Sequence, residues 1–179
     1  MSAACRPASI FLAIALASAA PARAEKADKD KPTQIEANSM QSDETRRLNI
    51  FEGNVVVTKG TLTVRSERLV VRQDPEGYQL TTATGAPVHF RQRQDPKEPG
   101  KEGGWMDGEA LRLEIDDRKG TIELFDKARV NRDGDEVTGN YILVDQRSDY
   151  FSVNNGPKNP PGRVKAIIQP KANDSEGAK

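Results

Sequence analysis

The chain has 179 residues with 27 basic and 27 acidic side chains, one histidine and one cysteine, and only 35% of it is hydrophobic. A balanced charge is no nucleic-acid footprint, which would need a basic stripe or patch, and a mean hydropathy of −0.72 leaves apolar side chains for one face of each element but not for two. The lone Cys5 excludes a disulfide framework and a cysteine zinc site.

Residues 1–24 read as a secretory signal. Arg6 supplies a positive start, "ASIFLAIALASAA" from Ala8 to Ala20 is an apolar run too short for a bilayer, and "ARA" at 22–24 is a small-x-small cleavage site. Cys5 stands before the apolar run, so it is not a lipid-modified cysteine and the exported chain carries no catalytic thiol. Loss of Arg6 and Arg23 leaves 25 basic against 27 acidic residues. The remaining ~155 residues suit one domain, expected as a flexible lead-in over 25–32, a β-domain over 33–170 and a disordered tail over 171–179.

Along the domain the dominant period is two. A first strand is expected at "TQIEAN" (33–38), and "TLTVR" places Leu62 and Val64 on one face. "PVHF" sets Phe90 opposite His89, and "ALRLEI" sets Leu111, Leu113 and Ile115 opposite Arg112 and Glu114. A last strand is expected at "RVKAIIQ" (163–169). Turn signals at "KG", "DPEG", "TGAP", "DDRKG", "RDGD" and "NNGPKNPPG" cut the chain into segments of about four to eight residues, and no segment carries a capped helical period. The interval Arg93–Gly104, charged and rich in Gly and Pro, is expected as a mobile loop. The fold class is all-β, built of consecutive antiparallel strands.

The strands recur. At an offset of 74, "DETRRLNIFEGNVVVTKG" (43–60) lies over "DRKGTIELFDKARVNRDG" (117–134), so that Asp43, Phe51, Val56 and Gly60 meet identical residues and Leu48 and Ile50 meet Ile122 and Leu124. An Asp opening a turn, an apolar alternation, a kink, a short strand and a turn glycine make up each copy. Two similar halves are therefore expected.

These residues carry a resemblance. "IEANSMQSDETRRLNIFEGNVVVTKGTLTVRSERLVV" (35–71) and "GEALRLEIDDRKGTIELFDKARVNRDGDEVTGNYILVD" (108–145) resemble the two halves of the LptA, or OstA-like, family of periplasmic lipopolysaccharide transport proteins. The second copy departs from the family pattern, with "DKARV" where members often carry Gly-Asn. The resemblance implies a twisted, open β-jellyroll with an apolar interior that carries lipopolysaccharide between inner and outer membranes, with no catalysis and no cofactor. It implies a periplasmic location and lipid contacts at Ile35, Phe90, Leu113 and Ile115. It also implies head-to-tail stacking on itself and on homologous jellyrolls of an inner-membrane LptC-like and an outer-membrane LptD-like protein. An unclosed sheet leaves unpaired edges that accept another chain; the edge residues expected are Thr33 and Ile35 in the first strand and Val164, Ala166 and Ile168 in the last. The alternative is an exported structural or adhesive β-module with a dry core, assembled through the same edges.

Other sites carry less. His89 alternates with Phe90, so if Phe90 points inward His89 faces solvent and serves no pocket. "NRDGDE" (131–136) lacks the distal bidentate Glu of a calcium loop and reads as an Asp-Gly hairpin. Asp43 and Asp117 open turns in separate halves, which gives no acid–base pair. Trp105 and Met106 read as an anchor for the preceding loop. Arg65, Arg68 and Lys165 either meet lipid phosphates or solvate outer faces. No catalytic residue and no metal ligand set is assigned.

Overall fold

A computed structural model describes Asp28 and residues 31–96, 102–148, 150–154 and 163–170. The leader, the centre of the Arg93–Gly104 interval and the tail lie outside the described residues. The strands are β1 (Thr33–Glu36), β2 (Ser39–Asp43), β3 (Leu48–Lys59), β4 (Leu62–Gln73), β5 (Gln79–Arg93), β6 (Trp105–Asp116), β7 (Thr121–Arg132), β8 (Asp135–Asp145), β9 (Tyr150–Asn154) and β10 (Lys165–Ile167). All join one antiparallel sheet in the order β1-β3-β4-β5-β6-β7-β8-β10, with β2 also on β3 and β9 also on β8.

The central strands run 11–15 residues, longer than the four to eight read between turn signals. Each is broken in the middle by a shift in register: Glu52/Val55 in β3, Arg65/Arg68 in β4, Thr84/Val88 in β5, Glu109/Arg112 in β6 and Phe125/Ala128 in β7, opposite Gly139/Tyr141 in β8. The shifts align across the sheet and fold it over. Gln92 shares a cross-strand row with Met106, Arg132 and Asp135, and Gln146 lies beyond the far end of β8, 11 residues past Asp135. Eleven residues of flat strand would separate the two by roughly 36 Å, yet the Gln146 amide donates to Gln92 Oε1 over 3.0 Å. The sheet therefore consists of two facing leaves. The first holds β2, β9 and the strand halves around Phe51, Leu69, Ala83, Leu113, Leu124 and Ile142; the second holds β1, β10 and the halves around Val57, Val64, Phe90, Met106 and Val130.

The bulges also change which residues point inward. In β4, even-numbered Leu62 and Val64 are buried before the shift and odd-numbered Leu69 and Val71 after it. In β6, Met106 and Ala110 precede the shift and Leu113 follows it. Leu111 falls in the bulge and is 36% exposed, so uninterrupted alternation mistakes its face.

The two halves repeat at 73 residues and not 74. β3 and β7 begin at Leu48 and Thr121, and β4 and β8 at Leu62 and Asp135. Asp43 Oδ1 caps Arg46 N at 3.0 Å as Asp116 Oδ1 caps Lys119 N at 3.0 Å, so Asp116, not Asp117, is the partner of Asp43. Gly53 (φ +80°) and Asn54 (φ +48°) kink β3; Asp126 (φ +63°) and Lys127 (φ +52°) kink β7 without a glycine. A one-residue slip had matched the Phe pair across faces: Phe51 is buried, whereas Phe125 lies on the outer surface under the Arg112 guanidinium, 3.6 Å away, and beside Tyr141.

The chain ends are split strands. β1 and β2 together occupy the place that β6 holds in the second half, interrupted where Asn38 N reaches Gly53 O at 2.9 Å. A Cβ on Gly53 would press on the Asn38 side chain 2.6 Å away. β1 is shorter than the stretch 33–38, and β10 shorter than 163–169, because only Lys165, Ala166 and Ile167 find partners on β8. Val164 and Ile168 flank β10, 43% and 77% exposed. Among the described residues the exposed edges are thus four short strands, which limits indiscriminate pairing. The interval Arg93–Gly104 contributes Arg93 to β5, and Gln94 N still bonds to Gly104 O at 2.9 Å.

Truncation separates the two parities of β6. Leu113→Ala, at a site 1% exposed, is expected to cost about 2–5 kcal/mol and Leu111→Ala less than about 1 kcal/mol in urea unfolding; equal losses would contradict the bulge. Gly53→Ala forces a side chain to positive φ and is expected to cost about 1–2 kcal/mol by the same measurement.

Candidate functional site

Folding the sheet over brings the turns at opposite strand ends together as two rims. The rim of the first leaf is stitched turn to turn. Gln73 N donates to Arg47 O at 3.0 Å, Asp117 N to Gln79 O at 3.0 Å and Gln146 N to Gly120 O at 2.9 Å. Arg118 bridges Asp74 (2.6 Å) and Glu76 (2.7 Å) with its guanidinium 4.7 Å from the Tyr78 ring, and Arg147 donates to the carbonyls of Asp117 (3.3 Å) and Arg118 (2.5 Å).

The aspartates of this rim are held as carboxylates. The Arg118 hydrogen bond lowers the Asp74 pKa. Burial raises that of Asp116 but is outweighed by the backbone and side chain of Lys119, so the net shift is down. The Ser148 hydroxyl and the Arg147 amide lower that of Asp145.

The rim of the second leaf carries the Gly60–Thr61 and Asp133–Gly134 turns. Asp133 and Gly134 both have positive φ, the conformation a two-residue hairpin prefers. Asp28, from the stretch expected as flexible, is only 6% exposed; its carboxylate accepts from Thr61 N at 2.9 Å and from the Thr61 hydroxyl.

Between the rims lies a cavity of about 570 Å³, lined by Leu62 and Gln92 from the second leaf and by Tyr78, Ile115, Gln146 and Arg147 from the first. That volume is in the range of small-molecule sites, ~300–1,000 Å³. Below the mouth the inward side chains close up: Leu69, Leu113, Ile122, Leu124 and Ile142 of the first leaf and Val55, Val64, Val88, Met106 and Val130 of the second are each less than 2% exposed. The side chains that fill this depth are apolar, and buried Gln92 lines the cavity at the mouth.

The four residues expected to meet lipid all face inward but occupy different places. Ile115 lines the cavity. Phe90 is 3% exposed, with its ring over Gly108, where any Cβ would overlap it. Leu113 lies deeper, and Ile35 packs on the core from the β1 edge. His89 is outward, 3.7 Å from Glu109 on the neighbouring strand. Arg68 pairs with Glu52 at 3.0 Å on an outer face, Arg65 lies exposed on the other, and Lys165 is exposed in β10. Met106 is core, while Trp105 stands outside beneath Arg91, 4.4 Å from its ring.

Sequence reasoning did not single out Gln92, Tyr78, Gln146 or Arg147. Gln92 could have been found by counting two from Phe90; the rim residues carry no periodic signal. Among the described residues no group of three or more His, Cys, Asp or Glu side chains is placed to hold a metal, and no helix is long and apolar enough to cross a membrane.

A single antiparallel sheet doubled over an apolar interior and left unclosed at both edges is an open β-jellyroll. The chain belongs to the LptA/(LptD N-terminal domain) LPS transport protein family, whose model matches residues 34–150. This is a family of transport proteins and not of enzymes. Over 150 residues the chain is 25% identical to the lipopolysaccharide export system protein LptH of Pseudomonas aeruginosa, covering 80% of this chain and 82% of that one. It is 29% identical over 144 residues to LptA of Escherichia coli strain K12, covering 76% and 74% respectively. The crystal structure of LptH from Pseudomonas aeruginosa, described as the LptA-homologous periplasmic component of a lipopolysaccharide transport device, superposes with a TM-score of 0.71 at 22% identity, over 80% of this chain and 99% of that one.

The rim charges set an acid limit on stability. A carboxylate whose folded pKa lies below its usual 3.8 contributes stability above that value and loses it as pH falls through the lowered one. Wild type is therefore expected to exceed Asp74→Asn in urea midpoint at pH 6, with the gap closing below about pH 4; a gap independent of pH would remove the Arg118 ion pair as its cause.

Proposed function

We propose that this protein binds lipopolysaccharide in the periplasm and passes it between the inner and outer membranes, holding the acyl chains of lipid A between the two leaves. The observation that carries the reading is the apolar lane on the inward face of both leaves, which runs from the core to the mouth lined by Leu62 and Ile115. Each methylene moved from water into such a lane contributes ~0.8 kcal/mol, so affinity needs no catalytic group. Ile115 meets the chains first, Phe90 and Leu113 line the path within, and Ile35 closes its edge. Export follows cleavage after Ala24, and 25–32, 33–170 and 171–179 act as lead-in, carrier domain and tail.

Bridging uses the unpaired sides of the edge strands. Among the described residues, β1, with Thr33 and Ile35, is hydrogen-bonded only to β3, and β10, with Ala166 between Val164 and Ile168, only to β8. Pairing of unlike edges is heterologous and does not close on itself. It would join copies head to tail and link them to the jellyrolls of LptC-like and LptD-like partners, extending the lane.

The close packing below the mouth favours a second reading, a structural β-module with a dry core. The two differ in whether the leaves part for a ligand. Photocrosslinking residues at positions 90 and 115 in cells are expected to yield lipopolysaccharide adducts, with none from outward-facing position 89. A folded, exported protein that gives no adduct at 90 or 115 would favour the structural module.

A further inference from the structure

We propose that Gln92 and Gln146 form a latch that holds the leaves together at the mouth and must open for an acyl chain to enter; the inference rests on the transport reading above. Gln92 projects inward from β5 of the second leaf and is 2% exposed, and its Oε1 accepts the side-chain amide of Gln146 at 3.0 Å. Gln146 stands on the rim of the first leaf. The bond therefore crosses from leaf to leaf, and both residues line the 570 Å³ cavity. The rim bonds of Arg47, Arg118 and Arg147 stay within the first leaf and set no distance between the two.

The internal repeat supplies the control. Gln73 occupies the position of Gln146 one repeat earlier, and the backbone agrees: Gln73 N bonds to Arg47 O as Gln146 N bonds to Gly120 O, with Arg47 and Gly120 both at positive φ. The side chains diverge. Gln73 turns back to Gly77 O in its own turn, 3.2 Å away, while Gln146 reaches the opposite leaf. The mouth is thus tied in the second half of the molecule and not by the equivalent residue of the first, and the cavity opens beside the tie. Two neutral amides make a bond that neither pH near neutrality nor salt dissolves. Opening it strips a buried carbonyl of its donor, which favours reclosure unless an entering ligand brings a hydroxyl or amide of its own.

The test separates the latch from the lipid. In full-length protein with Cys5→Ser, Met106→Cys places the only thiol beside Gln92 in the next strand. Its labelling by a small disulfide reagent is expected to accelerate roughly fivefold, the equivalent of one neutral hydrogen bond, on Gln146→Ala or on the similar-sized non-donor Gln146→Met. It is expected to stay unchanged on Gln73→Ala. Binding of a fluorescent lipopolysaccharide to the same variants without the Met106 change is expected to show a similarly faster association for the Gln146 variants alone. Unchanged labelling in a folded Gln146 variant, or equal acceleration by Gln73→Ala, would overturn the latch. Faster labelling without lipopolysaccharide binding by any variant, wild type included, would uphold the latch and reject the transport reading.

Discussion

The aligned kink in the middle of every long strand is the constraint on which the rest of this structure depends. An antiparallel sheet as polar as this one has apolar side chains for one face only, and a flat sheet would leave that face in water. Doubling the sheet at its bulges buries the face against itself, so one sheet supplies both walls of its own interior. The kinks have a backbone cost, because Asn54, Asp126 and Lys127 all sit at positive φ without being glycine. The closure of Val55 and Ala128, each 1% exposed just beyond a kink, offsets it.

Doubling over creates rims as well as a core. Strand ends that would lie far apart in a flat sheet become opposing lips, and the chain treats the lips unequally. The first leaf's turns are linked by arginines and capped by aspartates, which makes that lip a continuous rail. The second lip carries two short hairpins, at Gly60–Thr61 and Asp133–Gly134, with Asp28 fastened to Thr61. Between leaf and leaf stands the Gln92–Gln146 bond, weak enough to open and placed where apolar contact gives way to polar.

The same geometry relates the edges to the interior. Because β1 and β2, and likewise β9 and β10, are the two halves of interrupted strands, each end of the molecule presents an edge on both leaves. A second jellyroll added at either end can prolong both walls of the slot together. Short strands at these edges carry few unpaired groups, so under the proposed stacking a partner would have to match two edges at once and not one long template.

Sequence by itself determined the strand class, the consecutive antiparallel order, the internal duplication and the inward direction of Phe90, Leu113, Leu62 and Val64. Alternation and turn residues are local, and local patterns report which face a strand turns to its neighbours. The family likeness was legible in the same residues. Tertiary structure decided what depends on the bulges: the length of the strands, the outward placement of Leu111 and Phe125, the repeat of 73 in place of 74, and the split edge strands. A bulge adds a residue without altering composition, so period-two counting passes through it and emerges on the wrong face. The mouth itself depended on the fold most of all. Gln92 and Gln146 are 54 residues apart, and only a sheet folded back on itself brings two such ordinary side chains within one hydrogen bond.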